Sequence, residues 1–274
     1  MEVDGRTVVI TGASSGIGAA AAKAFAAKGA TVVMLARRKE MLEALAGEIA
    51  AGGGQARPWQ VDLGDREAAT RAAHELKDEV GLPDILVNCA GAGAGFFLEE
   101  MPPDEFERNM AVPFFAAANT TRAFLPAMIE RGSGYIVNVG SPIAYATWPG
   151  AAGYACARWA MRGLYEVLSQ ELRGTGVRVA SVVPGHVDSP YFDANPRLQE
   201  TIPGVAKLAG KVSPEQVANA IVKAVEHERS EVFVPFVMRL LIMQSRLFPR
   251  LTRYAVAKTG ARRAAAPGER SAEA

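Results

Sequence analysis

The chain has 274 residues, 49% of them apolar, enough to bury a sizeable core within one domain. Thirty basic and 29 acidic residues leave a formal net charge of +1, so no global field draws in nucleic acid, and neither a lysine-rich tail nor zinc-finger spacing occurs. Cys89 and Cys156 are too few for a disulfide framework and too isolated for a zinc site, which fits a reducing, cytoplasmic setting, and His74, His186 and His227 lack ligand-like spacing, so no metal is expected.

Between Met1 and the first strand no leader pattern is read. Short β-branched runs then alternate with alanine-rich helical stretches, the pattern of parallel strands joined by helical crossovers. Seven strands are expected to begin near Thr7, Thr31, Gln55, Asp84, Gly134, Val177 and Glu231. Helical stretches such as Ile17 to Lys28 and Gly153 to Leu172 lie between them, Pro102-Pro103-Asp104 reads as a helix start and Gly174-Thr175-Gly176 as a helix stop. The prediction is an α/β fold: a doubly wound, parallel, seven-stranded sheet in three α/β/α layers. Ser189 to Gly210, with three prolines, interrupts the alternation where a substrate-covering insertion is expected.

Three segments follow from this: a dinucleotide-binding and catalytic domain over 1–235, a basic amphipathic extension over 236–258, and a tail over 259–274 expected to be disordered. The extension carries Arg239, Arg246, Arg250 and Arg253 on one helical face, with Leu240, Leu241, Leu247, Phe248, Leu251 and Tyr254 on the remainder. It is too short in apolar run to span a bilayer. It suits a helix covering the domain's own apolar surface or a subunit contact, or else peripheral contact with an anionic membrane. Pro249 predicts two short helices there.

Thr11-Gly12-Ala13-Ser14-Ser15-Gly16-Ile17-Gly18 stands where the first strand turns into a helix. Glycine permits the tight turn and lets backbone approach a pyrophosphate, whose charge meets unpaired N–H groups at the helix N-terminus; Ser14 and Ser15 add hydroxyl donors. The fold is therefore expected to be of the Rossmann type. The second strand ends in Ala36-Arg37-Arg38, where an NAD-binding fold places an acid on the ribose 2′-hydroxyl. That acid is missing, and two guanidinium forks suit a 2′-phosphate, which favours NADP(H) over NAD(H).

With these features the sequence resembles the short-chain dehydrogenase/reductase family from about Thr7 to Pro235. The family's Thr-Gly-x-x-x-Gly-x-Gly is intact at Thr11 to Gly18; Asp62-Leu63 matches its adenine-contacting pair; Asn88-Cys89-Ala90-Gly91 is similar to its Asn-Asn-Ala-Gly. Pro184-Gly185-His186-Val187-Asp188-Ser189 is similar to the segment whose backbone and final hydroxyl hold the nicotinamide. The resemblance thus implies coenzyme contacts from Asp62, Leu63, Asn88, Ala90, Gly91, Pro184, Gly185, Val187 and Ser189.

Ser141 and Tyr154 have the family's catalytic spacing, which implies that Tyr154 exchanges the proton of the reacting oxygen while Ser141 hydrogen-bonds it. Two departures stand beside them. Where the family has lysine, this chain has Arg158, which keeps the charge but does not exchange its proton near neutral pH. Where it has Val-Asn, this chain has Val112-Pro113. Proline removes the N–H that would bond the carbonyl of Asn109, so that carbonyl is a candidate to hold a relay water, the alternative being a plain kink.

Two functions are compatible with this reading. One is an NADP(H)-dependent oxidoreductase interconverting an apolar ketone or aldehyde and its alcohol, with Phe96, Phe97, Ile143, Tyr145, Trp148, Tyr191 and Phe192 as candidate pocket residues. The other is a catalytically weak NADP(H)-binding protein with a sensing or assembly role. The resemblance also implies a homodimer or homotetramer built on the fourth and fifth long helices.

Overall fold

The computed structural model describes residues 1–263. In chain order the elements are β1 Thr7–Thr11, α1 Gly16–Ala26, β2 Thr31–Ala36, α2 Lys39–Ala51, β3 Gln55–Gln60, α3 Arg66–Val80 and β4 Ile85–Asn88. Then come α4 Glu105–Met110, α5 Ala116–Arg131, β5 Gly134–Val139, α6 Ala152–Glu171 and β6 Val177–Pro184. The last part holds β7 His186–Val187, α7 Pro190–Asp193, α8 Pro196–Thr201, β8 Lys211–Val212, α9 Pro214–Glu226, β9 Glu231–Val234, α10 Val237–Leu247 and α11 Pro249–Thr259.

All seven expected strands form one parallel sheet in the order β3-β2-β1-β4-β5-β6-β9. The order reverses between β1 and β4, and in such sheets ligands bind in the crevice at the carboxyl ends beside that reversal. Central strands are almost wholly buried because helices cover both faces. Ile10, Met34 and Val137 face α1, α2 and α9 in one core, while Val9, Leu35 and Ile136 face α3, α5 and α6 in the other. The ends of the crossovers are fixed locally. Asp65 caps α3 by accepting from the N–H of Glu67 (2.8 Å) and Ala68 (3.1 Å), and Ser213 with Gln216 forms a capping box on α9.

The structure refines four expectations. The break at Pro113 is a π-helical turn, Ala111–Phe115, which joins α4 to α5 and lets the chain continue past the missing N–H. Ser189 to Gly210 folds into α7, α8 and a 3-10 turn at Gly204–Ala209, held at its base by the two-stranded β7–β8 pair. The C-terminal extension is two helices that break at Phe248, beside Pro249, and both pack on the domain. Within the segment expected as a tail, Thr259 still belongs to α11 and the Arg263 guanidinium meets Glu99 at 2.7 Å, while 264–274 lie outside the described residues.

Candidate active site

A cleft of about 600 Å3 runs along the carboxyl ends of β1, β2, β4, β5 and β6. At one end it is made of backbone. Gly12 has φ +70°, and a Cβ there would stand 2.7 Å from the Ala90 Cα; a Cβ on Gly18 would collide with the Gly12 carbonyl. Only glycine lets the turn, the helix start and the β4 loop lie this close. Ser15 occupies the N-cap of α1, yet its side chain makes no capping bond, so the first N–H groups of the helix keep their capacity for an anion. Its hydroxyl instead accepts from Arg38 Nη2 at 2.8 Å, and Ser14 Oγ accepts from the same nitrogen at 2.9 Å. Ala36 behind them brings no carboxylate. Uncapped amides, a glycine cradle and a guanidinium at its rim fit a dinucleotide. Arg37, Asp62, Leu63, Ile17, Pro184, Gly185, Val187 and Ser189 line the same cleft, with Gly16 facing Ser189 across it.

The other end is made of side chains. Ser141, at the end of the loop after β5, and Tyr154 and Arg158, one turn apart on α6, all line the cleft and are at most 8% exposed. The Arg158 guanidinium carbon stands 5.1 Å from the centre of the Tyr154 ring, and its Nη1 donates to the Val139 carbonyl at 2.9 Å. Its Nε is buried with no hydrogen-bond partner among the described residues. The Tyr191 hydroxyl is in the same condition. Tyr191 Oη and Tyr154 Cδ2 lie 2.8 and 2.6 Å from the point where a Cβ on Gly93 would stand, so the two phenols share one pocket. Burial, and then the neighbouring Tyr154, hold the Tyr191 phenol above its ordinary range, so it is a neutral hydroxyl at any physiological pH. Buried donors without partners are costly, and oxygen-bearing groups entering the cleft would satisfy them.

Two expected site residues lie elsewhere. Asn88 is buried beneath the cleft floor, where its Nδ2 donates to Asn138 Oδ1 (2.9 Å) and Thr121 Oγ1 (3.0 Å) and its Oδ1 accepts from Thr120 Oγ1 (2.9 Å); it ties β4 to β5 and α5. Asn109 is outside the cleft lining, its Oδ1 accepting from the Ala94 N–H at 2.9 Å and its Nδ2 donating to both Glu105 oxygens, backbone and carboxylate. Its side chain braces the loop after β4 against α4. Of the candidate pocket residues, Trp148, Tyr191 and Phe192 line the cleft; Ile143 is fully buried, Tyr145 donates to Glu231 at 2.6 Å, and Phe96 and Phe97 lie under Arg197 and Arg263. Conversely, His186, given no role by its spacing, lines the cleft beside Phe192, and burial lowers its pKa. Leu198, Ile202 and Met238 complete the apolar wall. No spacing signal singled these out, because the segment that brings them in follows no repeating pattern. Among the described residues no cluster of His, Cys, Asp or Glu is arranged to hold a metal ion.

Comparison with known proteins agrees with this geometry. The family model for short chain dehydrogenases matches residues 6–199. A short chain dehydrogenase of Pseudocercospora fijiensis is 42% identical over 194 residues, which cover 69% of this chain and 62% of that protein. A probable oxidoreductase EphD of Mycobacterium tuberculosis is 38% identical over 235 residues, 81% of this chain and 40% of that protein, so the chain spans less than two thirds of the length of these curated relatives. Among solved structures, a Burkholderia phymatum short chain dehydrogenase/reductase in complex with NAD superposes with a TM-score of 0.82 at 25% identity, over 93% of this chain and 98% of that one. A matching family model over most of the chain, a shared fold, and a glycine turn opening into a cleft that also holds Ser141 and Tyr154 lead to one conclusion: the chain belongs to the short-chain dehydrogenase/reductase family.

Proposed function

We propose that the protein is an NADP(H)-dependent oxidoreductase that interconverts an apolar ketone or aldehyde and its alcohol. The observation that carries this reading is the continuity of the cleft, which joins the glycine turn of α1 to Tyr154, Ser141 and Arg158 without an intervening wall. The coenzyme, when bound, supplies or accepts a hydride at its nicotinamide ring. Hydride reaching a carbonyl carbon builds negative charge on oxygen, which needs a donor in place beforehand. Tyr154 donates its phenolic proton to that oxygen in reduction and takes it back in oxidation, while Ser141 hydrogen-bonds it. Arg158 acts through its fixed charge; burial opposes that charge, and the phenols of Tyr154 and Tyr191 outweigh burial and keep the guanidinium protonated. Tyr191 is a further hydroxyl available to the reacting oxygen. Trp148, pinned by its Nε1 donating to Thr201 Oγ1 at 3.1 Å, together with Leu198 and Phe192, favours an apolar substrate and excludes water.

Support for NADP(H) over NAD(H) comes from Arg38 bridging Ser14 and Ser15 with no acid at position 36. Trp159 and Val167, exposed at 47% and 49% on α6, support pairing of this helix with a second copy in a homodimer or homotetramer. The test is NADPH oxidation against a panel of apolar ketones. Turnover is expected with the native chain and is expected to fall at least about 100-fold in Tyr154→Phe, the usual scale of a lost general acid. Turnover indifferent to that substitution would remove Tyr154 from the mechanism, and firm NADPH binding with no turnover would favour the sensing or assembly role.

A further inference from the structure

Helix α10 meets the domain along one stripe and presents a second apolar stripe away from it. Met238, Ile242 and Ser245 are buried against the fold. At about 100° per residue these three cluster on one side, and Leu240, Met243 and Leu247 point to the opposite side, where they are 52%, 49% and 71% exposed. Leu251 and Tyr254 of α11 extend the apolar surface, also more than half exposed. Core packing explains the first stripe and leaves the second without a partner among the described residues.

The charge around that second stripe has one sign. Arg239, Arg246, Arg250, Arg253 and Lys258 are all exposed, and no aspartate or glutamate occurs anywhere from 232 to 263. We propose that α10 and α11 form a docking surface for an anionic lipid bilayer. The apolar stripe seats at the boundary between headgroups and acyl chains, and the guanidinium and ammonium groups meet lipid phosphates. Among the described residues no helix is long and apolar enough to cross a membrane, so the element lies on the surface.

Charge also decides between a bilayer and a second copy of this chain. A two-fold contact brings the same patch onto itself. Here that would set five cations against five with no carboxylate in the segment to pair them, whereas an anionic surface pairs all of them at once. The docked orientation has a consequence for the cleft. Met238, on the inner side of the same helix, lines it, and the Val205 N–H of the segment that roofs it donates to Thr259 of α11. A docked α10 therefore holds the apolar end of the cleft within roughly one helix diameter, about 10 Å, of the bilayer.

Co-sedimentation of the full chain with phosphatidylcholine vesicles, with and without phosphatidylglycerol, tests this independently of any catalytic activity. Partitioning is expected to be at least about tenfold stronger on the anionic vesicles at low salt and to weaken as salt rises. Leu240→Asn with Leu247→Asn, both surface changes whose fold is checked by circular dichroism, is expected to lower partitioning on the order of 100-fold, the scale of two apolar side chains withdrawn from lipid. Arg250→Gln with Arg253→Gln is expected to remove most of the preference for anionic lipid. Absent binding, equal binding to neutral vesicles, or binding unaffected by the leucine pair would each overturn the proposal. So would light scattering in which the leucine pair splits an oligomer while vesicles capture nothing, which would make this face a self-contact.

Discussion

At the glycine turn the cleft is shaped by main chain, by Gly12, Gly16 and Gly18 and the free amides of α1; around Tyr154 it is shaped by side chains delivered from four separate places, α6, the loop after β5, the α7–α8 segment and α10. The first region performs one task, holding a diphosphate, which any sequence must solve with small residues at fixed offsets. The second is free to vary, because its task is set by an individual substrate. The same division appears in how polar groups are satisfied. Ser14, Ser15 and Arg38 bind one another at the coenzyme end, while Arg158 Nε and Tyr191 Oη are left without partners at the other.

Paired substitutions would break that contrast if it is wrong. Gly16 has φ +55° and its Cβ would project towards Ser189 across the coenzyme channel. Gly16→Ala therefore meets both the left-handed backbone penalty, about 1–2 kcal/mol, and an obstructed cradle, and coenzyme affinity is expected to fall on the order of 100-fold by fluorescence titration. A Cβ on Gly93 instead strikes Tyr154 and Tyr191. Gly93→Ala is expected to leave coenzyme affinity within about twofold and to depress kcat, since contacts made only in the transition state are the ones displaced. Equal effects of the two substitutions on binding would mean that the ends are not separable.

A smaller effect, of opposite sign in two assays, is expected from Tyr191→Phe. Removing a buried hydroxyl that has no partner relieves a desolvation penalty of about 1 kcal/mol, so Tm is expected to rise by roughly 2–4 °C for a chain of this size. If that hydroxyl serves the reacting oxygen, kcat falls about tenfold, the worth of one hydrogen bond. A gain in stability with unchanged turnover would show that Tyr191 only fills space.

The central strands were legible because they are buried on both faces and read as largely apolar runs, and the coenzyme end because glycine spacing reports backbone geometry directly. Asn88 and Asn109 came from different signals, a motif of the resemblance and the N–H lost at Pro113, and the side chain of each holds neighbouring strands or loops from beneath or beside the cleft. Tyr191 appeared in the sequence only as one aromatic among several, since nothing in its spacing tells that its hydroxyl ends beside Tyr154. The π-turn at Ala111–Phe115 was legible only as a break, because proline announces the lost bond and not the geometry that replaces it.

The least perturbing check contrasts the two cysteines. Burial pushes the Cys89 thiol up to about 12, whereas Cys156 is exposed on α6. At pH 8 Cys156 is expected to react promptly with a disulfide reagent, and Cys89, which is half-buried in the cleft wall, to react far more slowly because so little of it is thiolate. Two prompt thiols would contradict the desolvation of the Cys89 thiol in the cleft wall.

The central claim is that uncapped amides and Arg38 together select a dinucleotide bearing a 2′-phosphate. Calorimetric titration of NADPH and NADH into the native chain and into Arg38→Ala tests it directly. NADPH is expected to bind at least about tenfold more tightly than NADH, with the difference largely abolished in the variant, as the loss of a charge-assisted contact requires. Equal or tighter binding of NADH to the native chain, or no heat with either coenzyme on folded protein, would contradict it.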